Sequence, residues 1–243
     1  MNILVVGASG ATGRLLVEQL LSREQKVKII VRSDESLPES VKNHKNLEII
    51  KATLLDLSDS ELEIQVKDID AVASCLGHNI TFKGMFGHPR KLVTDATRRL
   101  CEAIKANSSD KKVKFVLMNT AGNVNRDLYE PISFGQKFVI GLIRLLLPPH
   151  SDNEKASDYL RIVIGQDDDT IEWSAVRPDG LTNEDEVTEY EVYPSPVRDT
   201  IFNAGKTSRI NTGHFMADLI TDSKTWNKWK GQMPVVYNKE TSG

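Results

Sequence analysis

Cysteine is scarce: the 243 residues include only Cys75 and Cys101. Two thiols make no disulfide framework and lack the paired spacing of a zinc site, and their apolar or helical surroundings mark them as core residues. A basic excess is also missing. The formal net charge of −3 argues against general nucleic-acid binding, which calls for a positive face. No apolar run reaches the roughly 20 residues that span a bilayer. The longest, Phe138 to Leu147, is broken by Gly141 and Arg144 and stopped by Pro148-Pro149. The start, Met1 to Gly7, shows neither a basic stretch nor a small-residue cleavage site, so no signal peptide is expected and the cytoplasm is the default compartment. His78, His88 and His214 have no carboxylates at ligand spacing, so no metal is expected. Internal repeats and low-complexity segments are absent.

What is present is ordinary globular material, with 40% hydrophobic and 27% charged residues, enough for one large α/β domain over residues 1–243. Asn2–Val6 is an apolar run ending in glycine, the pattern of a strand buried on both faces. Helical periodicity follows over Ala11–Arg23. Further strands are expected at Lys26–Val31, Leu47–Ala52, Asp70–Leu76, Val113–Met118 and Ile171–Val176, with a long helix over Pro89–Asn107. Strands alternating with helices call for a parallel sheet with right-handed crossovers, a Rossmann-type doubly wound fold with helices on both faces. Residues 125–150 form a helical insertion, whose apolar part, 138–147, packs on the body or meets a second copy. Residues 183–243 form a small C-terminal portion with a strand at Glu189–Tyr193, a helix at Thr212–Thr221, a strand at Pro234–Tyr237 and a loose tail over Glu240–Gly243.

The sharpest motif is Gly7-Ala8-Ser9-Gly10-Ala11-Thr12-Gly13, closing the first strand and opening the first helix. In that context Gly7 makes the tight turn, Gly10 lets backbone approach a pyrophosphate, and Gly13 allows close helix–strand packing. The unpaired amides and positive end of the helix then face the phosphates. At the end of the second strand, Arg32 stands where an acid would bond a ribose 2′-hydroxyl, and Arg14 begins the helix beside the loop. Guanidinium groups pair well with phosphate, so NADP is favoured over NAD. Asp34 and Glu35, just beyond, leave NAD open.

These residues resemble the atypical short-chain dehydrogenase/reductase superfamily, in its NAD(P)H-binding branch with NmrA-like and biliverdin-reductase-B-like proteins. Ser74-Cys75-Leu76-Gly77, Val176-Arg177-Pro178-Asp179-Gly180-Leu181-Thr182 and Ser208-Arg209-Ile210 with His214-Phe215-Met216 share the likeness, which covers nearly the whole chain. The resemblance implies that Thr53 and Leu54 flank the adenine and that Ser74, Leu76 and Gly77 run along ribose and pyrophosphate. It places Asn119 to Gly122 at the nicotinamide, bordered by Pro178 and Leu181. The chain departs from the family at Ala52-Thr53, where a Gly-Asp pair is common, with Asp56 displaced.

Many superfamily members carry Tyr-x-x-x-Lys on the helix after strand five, where the phenol exchanges a proton and the lysine lowers its pKa. Here Lys155 fits the lysine position, but Ser151 occupies the tyrosine's. Ser151 reads more simply as a helix N-cap, with Glu154 completing a capping box. His150 is the other proton candidate, and Asn119 and Thr120 fall where ligands bind at the carboxyl ends of strands. The pattern points to an oxidoreductase passing hydride from NADPH to a small conjugated acceptor such as a quinone, flavin or enone. The alternative is a non-catalytic dinucleotide-binding redox sensor or assembly protein, which the missing tyrosine and the apolar 138–147 segment favour.

Overall fold

Alternation along the first strand decides the layering. Ile3 and Val5 face one side and Leu4 and Val6 the other, and all four are fully buried, so helices must cover both faces. A computed structural model describes residues 1–78, 89–107, 111–130 and 134–239, and within 134–146 the side chains at 135, 136, 139–142 and 144. His88 and the tail expected at Glu240–Gly243 lie outside these residues.

The strands are β1 (Asn2–Val6), β2 (Lys26–Val31), β3 (Leu47–Lys51), β4 (Ala71–Ser74), β5 (Val113–Met118), β6 (Ile171–Pro178), β7 (Gly180–Thr182), β8 (Tyr190–Tyr193), β9 (Lys206–Ser208) and β10 (Val235–Asn238). The main sheet runs β3-β2-β1-β4-β5-β6-β10-β8, and β7 pairs with β9 beside it. All neighbours in the main sheet are parallel except β10 and β8. The order reverses between β1 and β4, which opens a crevice at the carboxyl ends of those strands.

Helix α1 (Ala11–Ser22) lies on the Ile3–Val5 face. Further helices are α2 (Glu39–Lys42), α3 (Asp59–Gln65), α4 (Leu92–Ala106), α5 (Phe134–Leu146), α6 (Pro148–Asp158), α7 (Arg209–Thr221) and α8 (Ser223–Trp229). Leu16, Val17 and Leu20 of α1 pack with Phe215, Met216, Leu219, Trp226 and Trp229 over one face. A side chain at Gly213 would meet the Leu16 amide at 3.0 Å, so glycine there lets α7 and α1 approach closely. The Leu4–Val6 face is covered by Leu62, Val93, Leu100, Cys101, Ala156 and Leu160, with Trp173 from β6.

The doubly wound parallel fold agrees with the sequence reading, and β2 and β5 fall on their expected residues. Strand β4 ends at Ser74 rather than Leu76 because the chain must turn past Gly7. A Cβ at Gly7 would lie 2.5 Å from the Cys75 carbonyl carbon. Helix α4 begins at Leu92, three residues after the expected Pro89. Helix α6 starts at Pro148, with proline in the first turn and Leu147 at the N-cap position, where a missing N–H costs nothing. The N-cap expected at Ser151 is therefore wrong: Ser151 lies inside the helix. No helix among the described residues is long and apolar enough to cross a membrane.

Candidate active site

The turn from β1 into α1 is built on absent side chains. Gly7 has φ +76°, a left-handed conformation that favours glycine. A Cβ at Gly13 would sit 2.2 Å from the Gly7 oxygen, whereas one at Gly10 would meet only that oxygen at 3.2 Å. Gly13 thus seats helix on strand, and Gly10 is left bare. No side chain caps α1 at Gly10, so the first-turn amides keep the donors that a helix start leaves unpaired.

This turn opens into a cleft of about 410 Å³, and Gly7, Ser9, Gly10, Arg32, Thr53, Leu54, Leu76 and Gly77 line it, all named from the sequence as cofactor residues. Cys75 lines it too, with burial pushing its thiol up to about 12. Ala11, Thr12, Gly13 and Arg14 form the helix start behind the glycine loop, and Arg14 Nε lies 4.0 Å from Glu18. Ser74 is fully buried at the end of β4, and its hydroxyl has no hydrogen-bond partner among the described residues. Arg99 holds the wall near Leu54 by donating to the Leu55 oxygen at 2.9 Å and the Leu57 oxygen at 2.5 Å.

At the end of β2, Arg32 is exposed at the cleft rim. The segment after it folds back on the glycine loop, since Ser36 Oγ donates to the Ser9 oxygen at 3.2 Å. Asp34, which kept NAD open in the sequence, is engaged: Lys51 Nζ lies 3.0 Å from its Oδ1. The parallel register sets Lys51 beside Val31, so β3 delivers this ammonium to the end of β2. The Lys51 hydrogen bond holds the Asp34 carboxyl below the usual carboxylate range. Sequence reading missed Lys51 because the pair joins two strands whose register no local motif reveals.

At the carboxyl end of β5, Asn119 is buried and spoken for. Its Nδ2 donates to the Asn153 oxygen at 2.9 Å, and its Oδ1 accepts from the Thr120 amide at 2.9 Å and from Asn123 Nδ2 at 3.3 Å. It ties the turn after β5 to α6 and has one remaining N–H. Thr120 Oγ1 accepts from the Gly122 amide at 3.3 Å. Pro178 is buried at the end of β6, and Leu181 is half-buried on β7. Arg177, fully buried, anchors this region by donating to the Asn123 and Met233 oxygens and pairing with Glu130 at 2.7 Å.

Helix α6 sorts the remaining candidates. His150 lies against the turn: a Cβ on Gly122 would be 3.5 Å from its Cε1. Its Nε2 is 3.4 Å from Glu154 Oε1, an ion-pair distance without a well-directed hydrogen bond. Glu154 also takes Arg144 at 2.6 Å. Burial pushes the Glu154 carboxyl up, but His150 and Arg144 outweigh it and leave the group at about 2. Glu154 is therefore an ion-pair partner, not half of a capping box. Lys155 is exposed. It stands two residues from Asn153, about 200° around the helix at 100° per residue, and like Asn119, Thr120 and His150 it is absent from the cleft wall.

One constellation escaped the sequence reading. Asp152, buried on α6, accepts from the Val93 amide at 2.8 Å and the Thr94 amide at 3.0 Å, capping α4 from another element. The same carboxylate lies 2.8 Å from Nε2 of His78, which lines the cleft. Such a cap has no sequence signature because donor and acceptor helices lie far apart in the chain. No group of three metal-ligating side chains occurs among the described residues.

Residues 7–223 match the model of a family described as NAD(P)H-binding. An uncharacterized chloroplastic protein of Arabidopsis thaliana is 29% identical over 185 residues, which are 75% of this chain and 60% of the relative, so the chain spans about three-fifths of that relative's length. Among solved structures, a short-chain dehydrogenase/reductase from Veillonella parvula in complex with NADP superposes with a TM-score of 0.71 at 16% identity, covering 100% of this chain and 96% of that one. A Streptococcus pneumoniae protein assigned as an NADH-flavin reductase gives 0.65 at 18% identity, covering 98% and 100%.

Proposed function

The chain belongs to this NAD(P)H-binding family, and from that premise we propose an oxidoreductase that uses NADPH to reduce a small conjugated acceptor such as a quinone, flavin or enone. The observation that carries the reading is the end of β2. Arg32 stands at the cleft rim, and the acid that would favour a 2′-hydroxyl is drawn onto Lys51 at 3.0 Å. The local charge therefore suits a 2′-phosphate.

The residues present fit a dinucleotide. The glycines leave backbone bare beside unpaired helix amides, and in this reading Thr53 and Leu54 wall the adenine side while Leu76 and Gly77 run along ribose and pyrophosphate. When bound, the nicotinamide supplies a hydride, and the acceptor takes up one further proton to complete a two-electron reduction. In this reading His150 is the proton donor to the acceptor, its Nε2 turned toward Glu154 at 3.4 Å. Asn119 positions the turn and Thr120 orients the acceptor. Ser151 and Lys155 have lesser claims, Ser151 through its short hydroxyl and Lys155 through its exposed setting. The proposed compartment remains the cytoplasm, and 138–147, with Leu142 and Leu147 exposed, is the proposed contact with a second copy.

The test is steady-state oxidation of NADPH with a panel of quinones, flavins and enones. Turnover with at least one class supports the reading. Tight NADPH binding without turnover on any of them favours the non-catalytic sensor.

A further inference from the structure

Beyond the cofactor cleft, the same edge of the sheet carries a second, larger cavity of about 740 Å³. Tyr193, Arg198, Lys206, Tyr237 and Lys239 line it, and Glu191 is the acid among them. Because β10 runs parallel to β6, Tyr237 and Asn238 end on the side of the sheet where the glycine loop lies. Ala121, in the turn after β5, packs with Tyr237 and Tyr193. The cavity therefore sits directly behind the turn assigned above to the reacting end of the cofactor.

Two features mark it as a place for an anion. Strand alternation points Thr207 inward, where its hydroxyl donates to the Val236 oxygen, and so turns Lys206 outward. Lys206 is exposed and makes no ion pair among the described residues. The second feature is the Tyr237 hydroxyl. The side chain is buried, with 4% of its surface exposed, and the Val197 and Arg198 amides approach its oxygen. Its proton, however, finds no acceptor among the described residues. A buried donor without an acceptor costs on the order of 1–3 kcal/mol, a cost relieved by a ligand oxygen.

The walls also suit a flat ring. Tyr193 and Tyr237 meet edge to face with centroids 6.1 Å apart. Gly205 has no side chain where the Tyr237 ring lies, since a Cβ there would be 2.4 Å from Cδ1. The Glu191 carboxylate accepts a hydrogen bond from the Tyr193 hydroxyl at 2.7 Å.

We propose that this cavity is a subsite for the acceptor, taking a planar conjugated molecule that bears a phosphate, sulfonate or carboxylate. Lys206 and the Tyr237 hydroxyl hold the anionic group, and the tyrosine rings flank the plane. The proposal rests on the reductase reading for the word acceptor, but the binding it describes is measured without turnover.

The probes are FMN and riboflavin, which share a ring system and differ by a phosphate. Calorimetric titration of the full chain, with and without NADP⁺, is expected to show FMN binding about 10-fold more tightly than riboflavin, the scale of one charge-assisted contact. Lys206→Gln and Tyr237→Phe should each remove most of that difference, with NADP⁺ affinity unchanged. Lys206 is exposed, so its variant folds even if loss of the buried hydroxyl perturbs the other. Equal affinity for the two flavins in the unmodified chain, or a difference that survives Lys206→Gln, overturns the subsite. Discrimination between the flavins without NADP⁺ binding would sink the reductase reading and leave the anion site standing.

Discussion

At the residue scale the account turns on charges at the tip of β2. If Arg32 meets a 2′-phosphate, Arg32→Ala should weaken NADPH binding about 10- to 100-fold, the loss of a hydrogen bond to a charged group, and barely alter NADH binding. Lys51→Met should move the two cofactors in opposite directions. Releasing Asp34 helps a 2′-hydroxyl and repels a phosphate, and competitive titration against both reads that crossing, which misfolding cannot mimic. The position of Arg32 was legible in the sequence because it directly follows the strand Lys26–Val31. Lys51 was not, because its role depends on the pairing of Val31 with Lys51 across two strands. Asn119 shows the opposite case. Its place at a strand end was readable, but the bonds that commit its amide to Asn153, Thr120 and Asn123 appear only once α6 is in position.

At the element scale, α6 organises the site and α4 depends on it. Asp152→Ala should strip the cap from α4 and leave the Val93 and Thr94 amides unpaired, lowering stability by about 1–3 kcal/mol in chemical denaturation. Ser151→Ala should leave it nearly unchanged, since Ser151 caps nothing. Glu154 gives this element a pH signature. Its folded pKa of about 2 lies below the unfolded 4.5, so its contribution is complete above pH 4.5 and is lost as pH falls toward 2. Arg144→Met removes one of the two partners that hold it down. Stability measured by denaturant titration should then fall less steeply between those pH values. The capping-box spacing at Ser151 and Glu154 misled the sequence reading because Pro148-Pro149 starts the helix earlier, and Glu154 is engaged by Arg144 and His150.

At the scale of the whole molecule, the parallel order and both covered faces were legible from β1, where every residue from Ile3 to Val6 is apolar. The β7–β9 pair was not, since three-residue strands carry too little pattern. The C-terminal elements are tied back by Arg177 and Glu130, buried together with side-chain exposures of 0% and 3%. Glu130→Gln leaves a buried guanidinium without its counter-charge and should cost about 3–5 kcal/mol by thermal or urea unfolding. Leu142, 42% exposed on α5, offers a check on association. If α5 meets a second copy, Leu142→Asp should convert the species seen by light scattering to a monomer, and an unmodified chain that is already monomeric removes that contact. The claim beneath all of these is a dinucleotide seated on the Gly7–Gly13 turn. Calorimetric titration of the full chain with NADPH and NADH tests it most directly: NADPH should bind about 10-fold or more tightly than NADH, and heat from neither coenzyme would contradict the account.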